Sequence, residues 1–246
     1  MYNYQKYEDL WLDPLSDYTR LLKPWLDVYF KDLNNLSILE IGFGSGHLAL
    51  ILASQNFSGS YFGIDIDENA DKFAKISLEK YPSRDNFSFD SVQPDNPNLK
   101  SKTFDLVIFC LSACEMSDIQ ISNYLSSINA KKLLVINPST LTQYFQSRIT
   151  KSLVSKFTSR FGKTPQWLLK GHIPTNNVDY DKRKLAGNQD LDIQMMYRSL
   201  GDLLNLCKQN GWNFQKYTDL KYNISDIKTA PVSKFEVMEF EKDFRV

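Results

Sequence analysis

A chain of 246 residues, 42% apolar and 24% charged, is long enough to bury a large core and has the composition of an ordinary globular protein. Its formal net charge is zero, which excludes a global electrostatic pull toward nucleic acid or an anionic membrane. The apolar runs are too short to span a bilayer, the polar and aromatic N-terminus does not read as a secretory signal, and three cysteines form no disulfide framework, so a reduced, cytoplasmic protein is expected.

In chain order, Tyr2 to Leu33 is rich in aromatic residues at helical spacing, with Asp13-Pro14 and Lys23-Pro24 as breaks. Residues 1–35 are expected to form an N-terminal helical lid. Then an alternation begins. Ser37 to Ile41 reads as a buried strand, His47 to Ser54 as a helix, and Tyr61 to Ile66 as a strand. Asp67 can cap a helix over Glu68 to Lys80. Phe87 to Ser91 and Phe104 to Cys110 are strands, Asp118 to Ile128 is helical, and Lys132 to Ile136 is a strand stopped by Asn137-Pro138. Strands alternating with helices predict a parallel sheet covered on both faces.

The pattern then changes. Residues 139–190 carry helical and loop signals, no strand, and much Gly and Pro punctuation, and read as a helical insertion on the substrate side. A helix from Gln194 to Gln209 ends at Asn210-Gly211. Phe214 to Tyr222 and Lys234 to Phe240, with no helix between them, are expected to pair antiparallel. Residues 36–138 thus form the core, 139–190 the insertion and 191–246 the closing helix and hairpin of a single domain.

The segment with the most chemical content is LEIGFGSGH, Leu39 to His47. Glycines at the end of a strand allow positive φ and close approach of backbone to a ligand, and the helix behind them presents unpaired N–H groups. Asp65, at the tip of the next strand, is placed to accept protons from both ribose hydroxyls of a nucleoside. The dinucleotide pattern would require glycine where His47 stands, and the Gly-Lys-Ser/Thr of a phosphate loop is absent. Glu40 ahead of the turn would repel pyrophosphate but suits a cationic sulfonium amino acid.

This run, E-x-G-x-G-x-G with its surroundings, resembles the class I S-adenosylmethionine-dependent methyltransferases over about Leu36 to Ile136, and more loosely from Met195 onward. The resemblance implies a Rossmann-like three-layer α/β sandwich with a seven-stranded, mostly parallel sheet and an antiparallel C-terminal hairpin. It implies S-adenosylmethionine as cofactor, with S-adenosylhomocysteine as product. Glu40, Gly42, Phe43, Gly44 and Gly46 would lie under the methionine part, Asp65 would hold the ribose, and Ile66 would flank the adenine. Cys110 and Leu111 would reach the cofactor from the fourth strand. Many members recognise the adenine amino group through an Asp after the third strand; here that position falls near Gln93, between Asp90 and Asp95.

Methyl transfer needs an in-line nucleophile and sometimes a base. Glu115, after the fourth strand, and His172, in the insertion, are the candidate catalytic residues; His47 reads as part of the cofactor helix. Tyr2, Tyr4, Tyr7 and Trp11 read as lid or packing residues. Arg148, Arg160, Arg183 and Arg198 would meet a carboxylate-bearing substrate or solvate the insertion. Cys110 and Cys114 lack the partners of a zinc site, and no metal is expected. The expected activity is methylation of N or O on a small molecule, without membrane or nucleic-acid partners. A peptide substrate, a silent scaffold subunit, and an enzyme using the sulfonium charge without methyl transfer are the alternatives.

Overall fold

The computed structural model describes residues 17–33, 35–91, 97–139, 178–185, 189–196, 198–221 and 234–242. The strands are β1 (Ser37–Ile41), β2 (Ser60–Asp65), β3 (Phe87–Ser91), β4 (Thr103–Cys110), β5 (Asn129–Pro138), β6 (Val178–Leu185), β7 (Gln189–Met196), β8 (Trp212–Leu220) and β9 (Phe235–Lys242). Seven of them form one sheet in the order β3-β2-β1-β4-β5-β9-β8. The first five pair in parallel, and β9 and β8 close the sheet antiparallel, as expected from the sequence.

The apolar runs of β1 and β4 explain the layering. Successive strand residues point to opposite faces, and both faces here are covered, so Ile38 and Leu39 are both buried but in different cores. One face packs against α1 (Lys23–Phe30), α2 (His47–Ser54) and α3 (Glu68–Leu78). The other packs against α4 (Pro97–Lys100), α5 (Asp118–Ser127) and α6 (Leu200–Gln209). Capping side chains define the helix starts. Asp67 accepts from the Asn69 N–H at 2.9 Å, as its position predicted, and Ser117 and Ser199 form capping boxes with Gln120 and Asp202. Gly211, at φ +81°, ends α6 where Asn210-Gly211 predicted a stop. Among the described residues, no helix is long and apolar enough to cross a membrane.

The structure differs from the sequence expectations in four places. Lys23-Pro24 does not break the first helix: a π-helical turn, Tyr18–Leu22, precedes it, and the Lys23 N–H reaches back to the Tyr18 carbonyl. The wider turn accommodates a proline ring that would otherwise crowd a preceding carbonyl. Leu22, Leu26 and Phe30 are buried in the core on the α1 face of the sheet. Val178–Leu185 and Gln189–Met196, expected to be strandless insertion and the start of a helix, pair antiparallel as β6 and β7. Val178, Tyr180, Leu191, Ile193 and Met195 do recur at a period of two, a pattern masked by the many charges between them. The next helix starts only at Leu200, where the Ser199 capping box sets it. Finally, β5 runs through Asn137 and Pro138, because β9 pairs with both beyond the end of β4; proline is tolerated at such a strand end.

Trp212 anchors β8 beneath α5, fully buried, with its indole N–H donating to the Leu125 carbonyl at 3.4 Å. Trp212→Ala is expected to destabilise the chain by about 3–5 kcal/mol. Urea unfolding should show this as a lower midpoint at unchanged slope.

Candidate active site

The strand order reverses at β1, which pairs with β2 on one side and β4 on the other. The chain leaving β1 enters α2 on one face, and the chain leaving β4 leads to α5 on the opposite face. Such a switch point opens a crevice at the carboxyl ends of the strands. Gly42, Gly44 and Gly46 stand there at φ +73°, +54° and +78°. Gly42 is there for proximity: a Cβ at this position would lie 2.5 Å from the Ser112 Cβ in the loop after β4. Gly44 differs, since a Cβ there would meet nothing within 4 Å. The turn therefore packs against the fold at Gly42 and presents bare backbone to open space at Gly44.

Asp65 holds the turn from the side. One carboxylate oxygen accepts from the Gly44 N–H at 2.9 Å and the other from the Asp67 N–H at 3.0 Å. Burial raises its pKa above the usual aspartate value, and these N–H donors pull it back. A carboxylate has about four acceptor positions, so lone pairs remain for hydroxyl donors. Ile66 next to it is 56% exposed, an apolar side chain left at the rim.

Other expected cofactor residues are placed differently. Phe43 turns its ring into the core, 4% exposed and 4.9 Å from the Phe89 ring centroid, so only its backbone belongs to the turn. Glu40, read from the sequence as a carboxylate facing a cation, is 2% exposed and accepts a hydrogen bond from the Tyr61 hydroxyl. Burial raises its pKa to about 8; the Tyr61 bond opposes this shift and the Asp65 charge adds to it. Glu40 is thus mainly protonated at neutral pH. His47 bonds to the Ser45 hydroxyl through Nδ1 at 2.6 Å, and desolvation lowers its pKa to about 3, so it is neutral and a weak base.

The loop after β4 forms the other wall. Leu111 has φ +65°, a conformation a branched residue rarely adopts, and its N–H donates to the Ile136 carbonyl at 2.8 Å. Cys110 beside it keeps a thiol whose pKa burial pushes well up. Ser112 donates its hydroxyl to the Ile41 carbonyl, tying this loop to the end of β1. Glu115 is half-buried at the end of the 3-10 turn Ala113–Glu115, alongside which β7 runs. Cys110 ends β4, and Cys114 lies in the 3-10 turn that follows, donating to the Leu111 carbonyl. Gln93, His172, Tyr2, Tyr4, Tyr7, Trp11, Arg148 and Arg160 lie outside the described residues.

Two features escaped the sequence reading. Tyr61 was read only as the start of a strand, and its bond to Glu40 depends on the register that pairs β2 with β1. Arg198 was counted among substrate-facing or solvated arginines, yet it is 5% exposed and donates to the Ala113 and Met116 carbonyls and to Asp118. Only its position beside the capping Ser199 marks it in the linear sequence.

Bare backbone at Gly44, a carboxylate with spare lone pairs and exposed Ile66 together fit an adenosine carrying a small amino acid. S-adenosylmethionine is such a molecule, and the residues present fit it.

The two glycines should separate on substitution. Gly44→Ala costs only the strain of its dihedrals, about 1–2 kcal/mol. Gly42→Ala must also displace Ser112 and should cost about 2–5 kcal/mol in all. Thermal and urea unfolding of both variants would check the order. Glu40 gives a pH signature. Its folded pKa of about 8 lies above that of an unfolded glutamate, so the stability it contributes is fully present below the unfolded value and is lost as pH rises toward the folded one. Glu40→Gln should remove a slope of about 1 kcal/mol per pH unit from this window. Urea midpoints across the range should therefore shift in favour of the variant as pH rises.

A methyltransferase-domain family model matches residues 39–134 of the chain. No curated protein sequence matches. Among solved structures, an S-adenosylmethionine-dependent methyltransferase from Methanosarcina mazei superposes with TM-score 0.58 at 13% identity, covering 87% of this chain and 96% of its own. Magnesium protoporphyrin IX methyltransferase from Synechocystis, solved with bound S-adenosylhomocysteine, gives 0.57 at 13% identity, with coverage of 98% and 94%. A methyltransferase of the same cofactor dependence from Aquifex aeolicus gives 0.57 at 12%, with coverage of 99% and 100%. At these identities the structures speak for the fold, and the family match over β1 to β5 speaks for the domain. With its glycine turn and strand order, the chain has the fold of the S-adenosylmethionine-dependent methyltransferases, and residues 39–134 match a methyltransferase domain.

Proposed function

We propose that the chain transfers the methyl group of S-adenosylmethionine to a nitrogen or oxygen atom of a small molecule. The observation that carries the cofactor part is the glycine turn, open at Gly44 and latched by Asp65. Gly42 to Gly46 would lie beneath the methionine part, Asp65 would accept from the ribose hydroxyls, and Ile66 and Leu111 would flank the adenine. Gln93 is proposed at the adenine amino group. Bound there, the cofactor supplies an electrophilic methyl on a sulfonium sulfur. The chain's own residues then have two tasks: to hold an acceptor lone pair in line with that methyl and to exclude competing water.

Glu115 is proposed as the group that takes the proton an acceptor loses, and His172 as a second candidate. Glu115 suits this role by position, at the edge of the loop after β4 and beside β7. Zero net charge and the absence of a basic stripe in the sequence support a small neutral or zwitterionic acceptor over nucleic acid.

Calorimetric titration tests the reading. The wild type is expected to bind S-adenosylmethionine with about micromolar affinity, near −8 kcal/mol. Asp65→Ala and Gly44→Ala should lose it, the first by removing the hydroxyl acceptor, the second by filling the open face with a methyl. Retained affinity in both variants would overturn the site, and no binding by the wild type would overturn the function. Incubation of the wild type with methyl-labelled cofactor and pools of small amines, hydroxylated compounds and peptides then decides the acceptor class. Label incorporated only into peptides would replace the small-molecule reading.

A further inference from the structure

The buried arginine next to the inserted hairpin has no place in the cofactor site, and its bonds show what it does. Arg198 extends its guanidinium under the loop that follows β4. Nη1 donates to the Ala113 carbonyl at 2.8 Å, Nη2 to the Met116 carbonyl, and Nε to Asp118 Oδ1 at 2.5 Å. A guanidinium offers five donors in a rigid plane, and three are spent on two carbonyls and one carboxylate within a single short stretch. A buried cation is costly unless it is paired and hydrogen-bonded, so this arrangement is specific to the loop it holds.

That loop is what the glycine turn rests on. Ser112 donates its hydroxyl to the Ile41 carbonyl, and its Cβ lies 2.5 Å from where a Gly42 side chain would begin. The Met116 methyl lies 3.4 Å from the same point. A contiguous path of contacts therefore runs from Arg198 through Ala113 and Met116 to Gly42. On its other side, Arg198 follows closely on β7, the inserted strand that passes the Ala113–Glu115 turn. We propose that Arg198 is a positioning residue for methyl transfer, clamping the loop after β4 against the glycine turn and tying the inserted hairpin to the cofactor site. This rests on the cofactor reading above. Arg198 touches neither reactant; it sets the wall that carries Leu111 and Glu115.

The test combines hydrogen exchange and calorimetry on the full chain, using S-adenosylhomocysteine as probe. Arg198→Met should speed amide exchange roughly tenfold at 111–117 and at 42–46, the factor a lost charge-assisted hydrogen bond carries, with β8 and β9 unaffected. Affinity for S-adenosylhomocysteine should fall by about the same factor. Arg198→Lys keeps the charge and part of the bonding and should recover part of both effects, which a merely space-filling role would not predict. Asp118→Asn alters only a half-exposed partner and should show the same local pattern at smaller amplitude, so it carries the test if Arg198→Met fails to fold. Exchange that quickens evenly over the whole chain, affinity in Arg198→Met within about twofold of wild type, or an unchanged Asp118→Asn beside an unfolded Arg198→Met would each overturn the proposal. If the wild type does not bind the probe, the cofactor reading falls and the proposal with it. Binding by the wild type with no loss in the variants overturns the proposal alone.

Discussion

The contact between Gly42 and Ser112 is the constraint on which the site depends. β1 and β4 are neighbours in the sheet, and the chain leaves them toward opposite faces, so the two loops must pass each other at the carboxyl edge. They pass with no room for a side chain at Gly42. The absence of a side chain there lets the Ser112 hydroxyl reach the Ile41 carbonyl, which would otherwise be a buried acceptor at the end of β1. The closeness of these loops leaves the rest of the turn, at Gly44, facing outward.

Electrostatics at this edge is set by burial more than by formal charge. Two acidic side chains lie near each other, Glu40 on β1 and Asp65 at the end of β2, and burial raises the pKa of both against different hydrogen-bond donors. Glu40 faces the covered side of the sheet with Tyr61 as its hydrogen-bond donor, and the cost of burying a charge keeps it protonated. At Asp65 burial also raises the pKa, and two backbone N–H groups oppose that shift by stabilising the ionised form. One carboxyl is thus kept as a neutral structural group, and the other as the acceptor that ties the glycine turn to the start of α3. His47, also desolvated, stays neutral and puts no cation at the start of α2.

The core was legible in the sequence because its signals are local. Apolar runs such as Ile38 to Ile41, interrupted only by Glu40, and Leu106 to Phe109 mark strands buried on both faces, and Asp67 and Gly211 mark helix ends by their own backbone chemistry. The glycine spacing and the strand before it marked the turn at the carboxyl edge of β1 for the same reason. Less was legible in the insertion. Hairpin β6–β7 alternates with period two, but charged residues fill most positions between its apolar ones, so the strand signal was weak against the helix read over Gln194 to Gln209.

What the sequence by itself determined is the alternation of strands and helices, the parallel sheet with its antiparallel close, and the strand-turn-helix carrying Gly42, Gly44 and Gly46. These follow from periodicity, propensity and turn chemistry acting over a few residues. Only the tertiary structure decided which polar side chains are charged, buried or spare. Glu40 is neutral because β2 brings Tyr61 beside it, Phe43 leaves the site because Gly63 and Phe89 make room for its ring, and Arg198 is a clamp because α5 and the loop after β4 enclose it. Each outcome depends on desolvation and hydrogen-bond partners supplied by residues distant in the chain, and these exist only once the sheet has formed.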